Sequence, residues 1–373
     1  MSKKMDLKNL VNEIGPEFAD RSADLEANDQ FVHDNYAVLK AKKVFSALVP
    51  IELGGGGVKY SEMCTFLRSL AHYCPSTALA VSMHQHLVAA ARKNHEDGKP
   101  GKALLEKVAG GELVLVSTGA NDWLESNGTA TKVDGGYRVT AVKPFGSGSP
   151  AGDVAVTSCA YDCPVDGPSV IHFPLSLKAD GVSFMGDWET LGMRATGSQT
   201  TKYDNVFIAD EAIAMKRPRG PFHPAFAVIS TVAMPVIMSV YVGVAEAAAN
   251  KAIEKAKARI GDLVMPLQVG ELVNLLTTAE VALESMLALN DDLAFTPSEL
   301  LASQILARKT VCANHVILTA EKALETAGGS GFFRKLGLER LLRDAHAAQF
   351  HPLPEKRQQL FTGRLAVGLP SVG

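Results

Sequence analysis

The sequence has no excess of positive charge. Its 37 lysines and arginines stand against 40 aspartates and glutamates, for a net charge of -3. A protein that grips a phosphate backbone needs a basic face, so a nucleic-acid partner is excluded. The first six residues carry lysines, but no apolar core follows them within the first thirty, and a secretory signal is not expected. No long apolar run is free of polar residues either. The longest, residues 225–249, contains Ser230, Thr231, Pro235 and Ser239 and leads into a charged segment. That pattern predicts a buried core helix rather than a membrane span. Cysteine is scarce: five thiols, at positions 64, 74, 159, 163 and 312, make an odd set with irregular spacing. This suits reduced thiols in a cytoplasmic protein. Cys159 and Cys163, with His172 nearby, supply only one such pair, so no metal site is expected. Internal repeats and low-complexity tracts are absent too.

What is present is a chain of 373 residues, 47% of them hydrophobic, enough to bury a large core in two or three domains. Residues 1–112 show apolar spacings of three and four, broken at Pro50, at the four glycines 54–57 and at Pro75, which predicts a helical domain with a glycine-rich loop. Between 113 and 214 the pattern changes to short alternating runs separated by turns such as Asp134-Gly135-Gly136, as in antiparallel strands of a small barrel or sandwich. Helical spacing returns after Pro224 in four long segments within 215–373, which predicts an up-and-down four-helix bundle.

Four segments carry a family resemblance. They are the loop Pro50-Ile51-Glu52-Leu53-Gly54-Gly55, the run Arg194-Ala195-Thr196-Gly197-Ser198, the turn Gly328-Gly329-Ser330-Gly331 followed by Arg343-Asp344, and Phe145-Gly146-Ser147 in the strand region. Taken with the order helices, sheet, helices, they resemble the acyl-CoA dehydrogenase superfamily over nearly the whole chain. The resemblance implies a mostly helical fold around a central β domain, an FAD cofactor, a small-molecule substrate, a homodimer or homotetramer, and electron-transfer flavoprotein as partner. It also implies roles for individual residues. Gly328, Gly329 and Gly331, lacking Cβ atoms, would let backbone N–H groups approach the pyrophosphate. Arg259 and Gln268 would reach the flavin nucleotide across a dimer interface, the guanidinium pairing with phosphate. Thr118 stands in a loop beside the flavin, Phe145 replaces the family's tryptophan, Ser147 offers a hydroxyl to the ring, and Arg194, with one of His84 and His86, borders the substrate. His84 and His86 lie two apart on a helix and point in different directions, so they cannot both serve one site.

The family's base is missing. Pro352 stands where the glutamate of a "Tyr-Glu-Gly" stretch is expected, and residues 226–244, the alternative source, hold no carboxylate. His351 and Glu355 are the candidates left, His351 because an imidazole can act as acid or base near neutral pH. Three functions follow as expectations. The first is α,β-dehydrogenation of an acyl-CoA thioester with an unconventional base. The second rests on a likeness to the flavin-dependent monooxygenases of this fold, which take reduced FMN or FAD from a reductase and act on aromatic or heteroaromatic compounds. The third is a non-catalytic subunit of a mixed oligomer.

Overall fold

The structure, a computed structural model, describes residues 5–119 and 122–372. Five helices open it: α1 (Leu7–Ala27), α2 (His33–Ala41), α3 (Tyr60–Ala71), α4 (Pro75–Glu96) and α5 (Lys102–Gly111). Eight strands follow, β1 (Leu115–Ser117), β2 (Thr129–Val133), β3 (Gly136–Gly146), β4 (Val154–Cys163), β5 (Gly167–Ser176), β6 (Val182–Phe184), β7 (Gln199–Ala209) and β8 (Met215–Pro218). The chain ends in α6 (Pro224–Lys257), α7 (Met265–Asn290), α8 (Glu299–Ala327), α9 (Leu338–His346) and α10 (Glu355–Ala366).

The strands form two four-stranded sheets, ordered β1-β4-β5-β8 and β2-β3-β7-β6. Between them lies a separate apolar core that includes Val139, Cys159, Phe173 and Tyr203. Two details depart from the expected pattern. The pairing of β1 with β4 is parallel, because β1 enters from α5 rather than through a hairpin. The last strand, β8, lies past residue 214, where it completes the sheet against β5.

From residue 224 to 245 helix α6 carries no charged residue and is apolar nearly all round, the signature of a helix surrounded by protein. It packs on α3, α4, α7 and α8. By length and composition α6 and α7 could each cross a membrane, but 89% of the most apolar stretch of α6 is buried inside the protein. Pro235 lies within α6 and has no N–H to give the Thr231 carbonyl. Asn290, the last residue of α7, donates to that carbonyl instead at 2.9 Å. The crossing with α3 is close at Gly243, where a Cβ would stand 2.2 Å from the Arg68 carbonyl and 2.9 Å from the Ala71 Cβ. Alanine is worth about 1 kcal/mol more than glycine in a helix, yet overpacking against backbone costs about 1–3 kcal/mol. Gly243→Ala is therefore expected to lower the urea unfolding midpoint; an unchanged or raised midpoint would show that the two helices can move apart.

Arg343 and Asp344 of α9 join three parts of the chain. Arg343 binds Glu26 of α1 at 3.0 Å and the Leu191 carbonyl at 2.7 Å, and Asp344 accepts from the Met193 N–H at 2.6 Å. Gly192 fits because a Cβ there would meet the Arg343 carbonyl at 2.3 Å. The loop that carries Thr196 and Ser198 is thereby fixed to the helices.

Candidate active site

The β domain offers a chain of hydroxyls. Thr196 Oγ1 donates to the Met193 carbonyl at 2.8 Å, and the Thr196–Ser198 and Ser198–Ser147 oxygen pairs are each 2.7 Å apart. With the Thr196 hydrogen committed, Ser198 must donate to Thr196 and Ser147 to Ser198. Ser147 is left with free lone pairs, so it is set to accept a hydrogen bond. Beside it, an irregularity in the β3–β7 register holds Phe145 at φ +64°, a rare angle for a side-chain-bearing residue. Phe145 is 42% exposed and meets Trp188 edge-on at 6.1 Å. A tryptophan thus stands near the expected place, supplied from another segment. Thr118 is buried and donates to Thr157 Oγ1 at 2.8 Å, which ties its loop to β4; Ala120 and Asn121 of that loop lie outside the described residues.

The second cluster lies where the bundle closes. Tyr241 of α6 is fully buried, and its hydroxyl is 2.7 Å from His351 Nε2. The pKa of His351 is lowered to about 3, mainly by loss of water around the ring and then by the nearby Lys309 and His86. His86 is buried, with its pKa lowered to about 4 by desolvation; its Nδ1 makes no hydrogen bond of good geometry, although the Ser82 carbonyl one turn back favours the protonated ring. Both imidazoles are neutral across the physiological range. Sequence reasoning named both histidines but missed Tyr241 and Lys309. The signal for Tyr241 was a phenol in an otherwise apolar helix, since a buried hydroxyl needs a partner.

Three readings of the sequence are corrected by these positions. His84 has no nitrogen left for a substrate: Nε2 donates to the Phe45 carbonyl at 2.8 Å and Nδ1 accepts from the Leu115 N–H at 2.9 Å. Arg194 is engaged by Asp29 through Nε and NH2, both at 2.6 Å, so it holds the β domain to the end of α1. Glu355 begins α10 and is bound by Lys356, Asn314 and Gln359, with the Lys356 ammonium and the Asn314 amide holding its carboxyl below the usual range. It is anchored among these groups rather than turned back toward His351. Cys159, Cys163 and His172 form no metal centre, since among the described residues no group of three or more His, Cys, Asp or Glu could hold an ion. His172 instead receives the Nε–H of the buried Arg217 at 3.1 Å.

The glycine turn and its partners do come together. Arg259 NH2 donates to the Thr326 carbonyl at 2.5 Å, and its Nε is buried without a partner. Gln268 reaches Glu325 at 3.4 Å, at the end of the same helix α8. Gly328 has φ +64°, and a Cβ there would stand 3.2 Å from Arg259 NH1. Gly329 is exposed with open space where a Cβ would lie, while Gly331 is buried. An orphaned guanidinium nitrogen beside Gly328, whose positive φ favours glycine, and the exposed backbone of Gly329 fits a phosphate-bearing ligand.

Comparison with known proteins agrees with this arrangement. Residues 7–112 match the acyl-CoA dehydrogenase N-terminal domain and residues 236–355 the acyl-CoA dehydrogenase C-terminal domain. The chain belongs to the acyl-CoA dehydrogenase family. It is a flavin-dependent oxidoreductase of that fold. Among its relatives, YdbM of Bacillus subtilis (strain 168), an acyl-CoA dehydrogenase by name, is 25% identical over 92% of this chain and 91% of its own. L-evernosamine nitrososynthase of a Micromonospora species is 27% identical over 92% of this chain and 85% of its own. The solved structure of KijD3 with FMN and a dTDP-linked amino-keto sugar superposes with a TM-score of 0.88 at 22% identity, covering 97% of this chain and 93% of that one. Monooxygenases recur among the other neighbours of this fold.

Proposed function

We propose that this family member is a flavin-dependent monooxygenase that receives reduced flavin from a separate reductase and oxygenates a small molecule. The observation that carries the reading is a neutral, half-buried His351 held against Tyr241 next to Pro352, where a dehydrogenase needs an anionic carboxylate, with the buried neutral His86 near it. Abstraction of an α-proton requires a base whose pKa lies near the working pH. An imidazole held near 3 is far too weak for that task, but it is suited to hydrogen-bond a polar oxygen in a water-poor site. The nitrososynthase relative supports the same chemistry, because converting an amine to a nitroso group adds oxygen.

The residues present fit a flavin in two places. Arg259, Gln268 and the Gly328–Gly331 turn would hold phosphate, and because all of them sit at one end of the bundle, a second copy of the chain is the natural provider of the ring site they serve. Exposed Ile260, Leu263, Val264, Leu267 and Phe332 around that end support a homodimer or larger homo-oligomer. Phe145, Trp188 and Ser147 would border the ring, Ser147 accepting from a ring N–H. When bound, reduced flavin supplies the electrons for activating oxygen. His351 and His86 would orient the reacting oxygen and exclude bulk water.

The acyl-CoA reading is supported by the acyl-CoA dehydrogenases among the relatives and by the Arg259–Gly328 patch suited to a full dinucleotide. An anaerobic titration separates the two. Addition of butyryl-CoA, isovaleryl-CoA or octanoyl-CoA to the flavin-loaded protein is expected to leave the oxidised-flavin absorbance unchanged. Bleaching by any of them would establish a thioester dehydrogenase.

A further inference from the structure

Helix α8 carries a lysine in its buried face. Lys309 is 1% exposed, and among the described residues no carboxylate lies within ion-pairing distance. Its ammonium points instead at three carbonyls of one short segment: His351 at 2.7 Å, Leu353 at 3.3 Å and Gln349 at 3.4 Å. An ammonium has three donors, so the set is complete. Burying a cation without a counter-ion is costly, and what this one holds is a stretch between α9 and α10 that has little hydrogen bonding of its own. Pro352 and Pro354 lack N–H groups, and no helix or strand spans residues 351–354. The path of the backbone on either side of His351 is therefore set by Lys309.

The ring is set by Tyr241. Among the described residues its buried hydroxyl has one partner, His351 Nε2. If Nε2 carried the hydrogen, the phenol hydrogen would be buried with no acceptor, at a cost of about 1–3 kcal/mol. The phenol therefore donates to Nε2, and the imidazole hydrogen resides on Nδ1, since the ring's hydrogen bond within the described residues is the one through Nε2.

We propose that Lys309 and Tyr241 are positioning residues that hold His351 as a neutral ring with Nδ1–H as the donor offered to the site. The charge and the hydrogen bond act together. Lys309 keeps its proton at neutral pH, because desolvation lowers its pKa only to about 8 while Cys312 and Glu355 favour the charged form. Its positive charge, and to a lesser degree His86, opposes a second proton on His351. Tyr241 selects which nitrogen bears the one proton that remains.

This inference rests on the reading of His351 as a site residue, but its test needs neither flavin nor substrate. NMR of histidine-labelled protein distinguishes the tautomers and follows titration. Wild-type His351 is expected to be the Nδ1–H form and to show no protonation down to about pH 4, well below the ordinary histidine value. Lys309→Met removes the ammonium with little change of volume and should raise the His351 pKa by about one unit or more. Tyr241→Phe should leave folding intact and shift the ring toward a mixture of tautomers. A wild-type ring in the Nε2–H form, or one titrating near 6.5, would overturn the proposal; so would a Tyr241→Phe spectrum with an unchanged tautomer. Should Lys309→Met fail to fold, the wild-type and Tyr241→Phe spectra still decide. If the spectra are as expected but His351→Ala has no effect on the oxygen reaction, the monooxygenase reading fails while the positioning of His351 stands.

Discussion

Replacement of His351 by alanine is expected to lower turnover in a reductase-coupled assay by about 10²–10⁴-fold, the contribution of one well-placed proton-handling side chain. Flavin affinity, followed by fluorescence quenching, should stay nearly unchanged, because the groups suited to phosphate and ring lie on other elements. Glu355→Gln is the matched control. Its carboxylate is engaged by Lys356, Gln359 and Asn314 at the start of α10, so its loss should leave turnover close to wild type. The reverse outcome, a large loss from Glu355→Gln and little from His351→Ala, would mean that α10 rearranges on binding and delivers a carboxylate base.

Stability is expected to fall steeply as the solution is acidified from about pH 6.5 toward pH 4, the interval set by free and buried histidine. His84 and His86 are held near 4 by burial, and His172 and His351 near 3. A base whose pKa is lowered on folding takes up its proton in the unfolded chain first. Its contribution is fully present above the unfolded value and is lost as pH falls through the folded one. Each such histidine steepens the decline by about 1.4 kcal/mol per pH unit inside the window. Asp344 works in the opposite direction, since its pKa is raised to about 7, mainly by burial and then by Glu26. Its contribution is lost as pH rises through that value, so it offsets one histidine. Partial exposure of His172 and His351 tempers their share. Urea midpoints measured between about pH 7 and pH 5 should drop progressively; a flat profile would mean that these rings are hydrated or already charged in the fold.

Much of the architecture was legible in the sequence because it depends on periodicity. The change from helical spacing to alternation near residue 113 and back after Pro224 follows from which faces must be buried, and the helices and strands begin and end close to those points. Topology was less legible. The parallel β1–β4 pairing and the last strand, β8, depend on where chain segments dock, and short strands carry little pattern of their own.

The site divides along the same line. Glycines and hydroxyls within one local motif, such as Gly328 with Gly331 or Thr196 with Ser198, were readable because backbone geometry restricts those positions. Roles created by distant pairing were not. Arg194 looked like a substrate ligand until Asp29, distant in sequence, was found against it. His84 looked equivalent to His86, yet the backbone of Phe45 and Leu115 occupies one ring and leaves the other beside His351. Lys309 was hidden beside the neighbouring Arg308, as one more charge on a long helix. Its position among Ile305, Leu306, Cys312 and Ala313 places it on the buried face, and that spacing was the available signal.

In the proposed reaction the bound flavin meets oxygen in an enclosed, neutral, hydrogen-bonding site. Stopped-flow mixing of chemically reduced FMN with aerated buffer, with and without the protein, tests it most directly. The protein is expected to slow the return of oxidised-flavin absorbance by about tenfold or more, the effect of one or two good hydrogen bonds, and His351→Ala to abolish the delay. Reoxidation as fast as that of free reduced FMN, with and without His351, would contradict it.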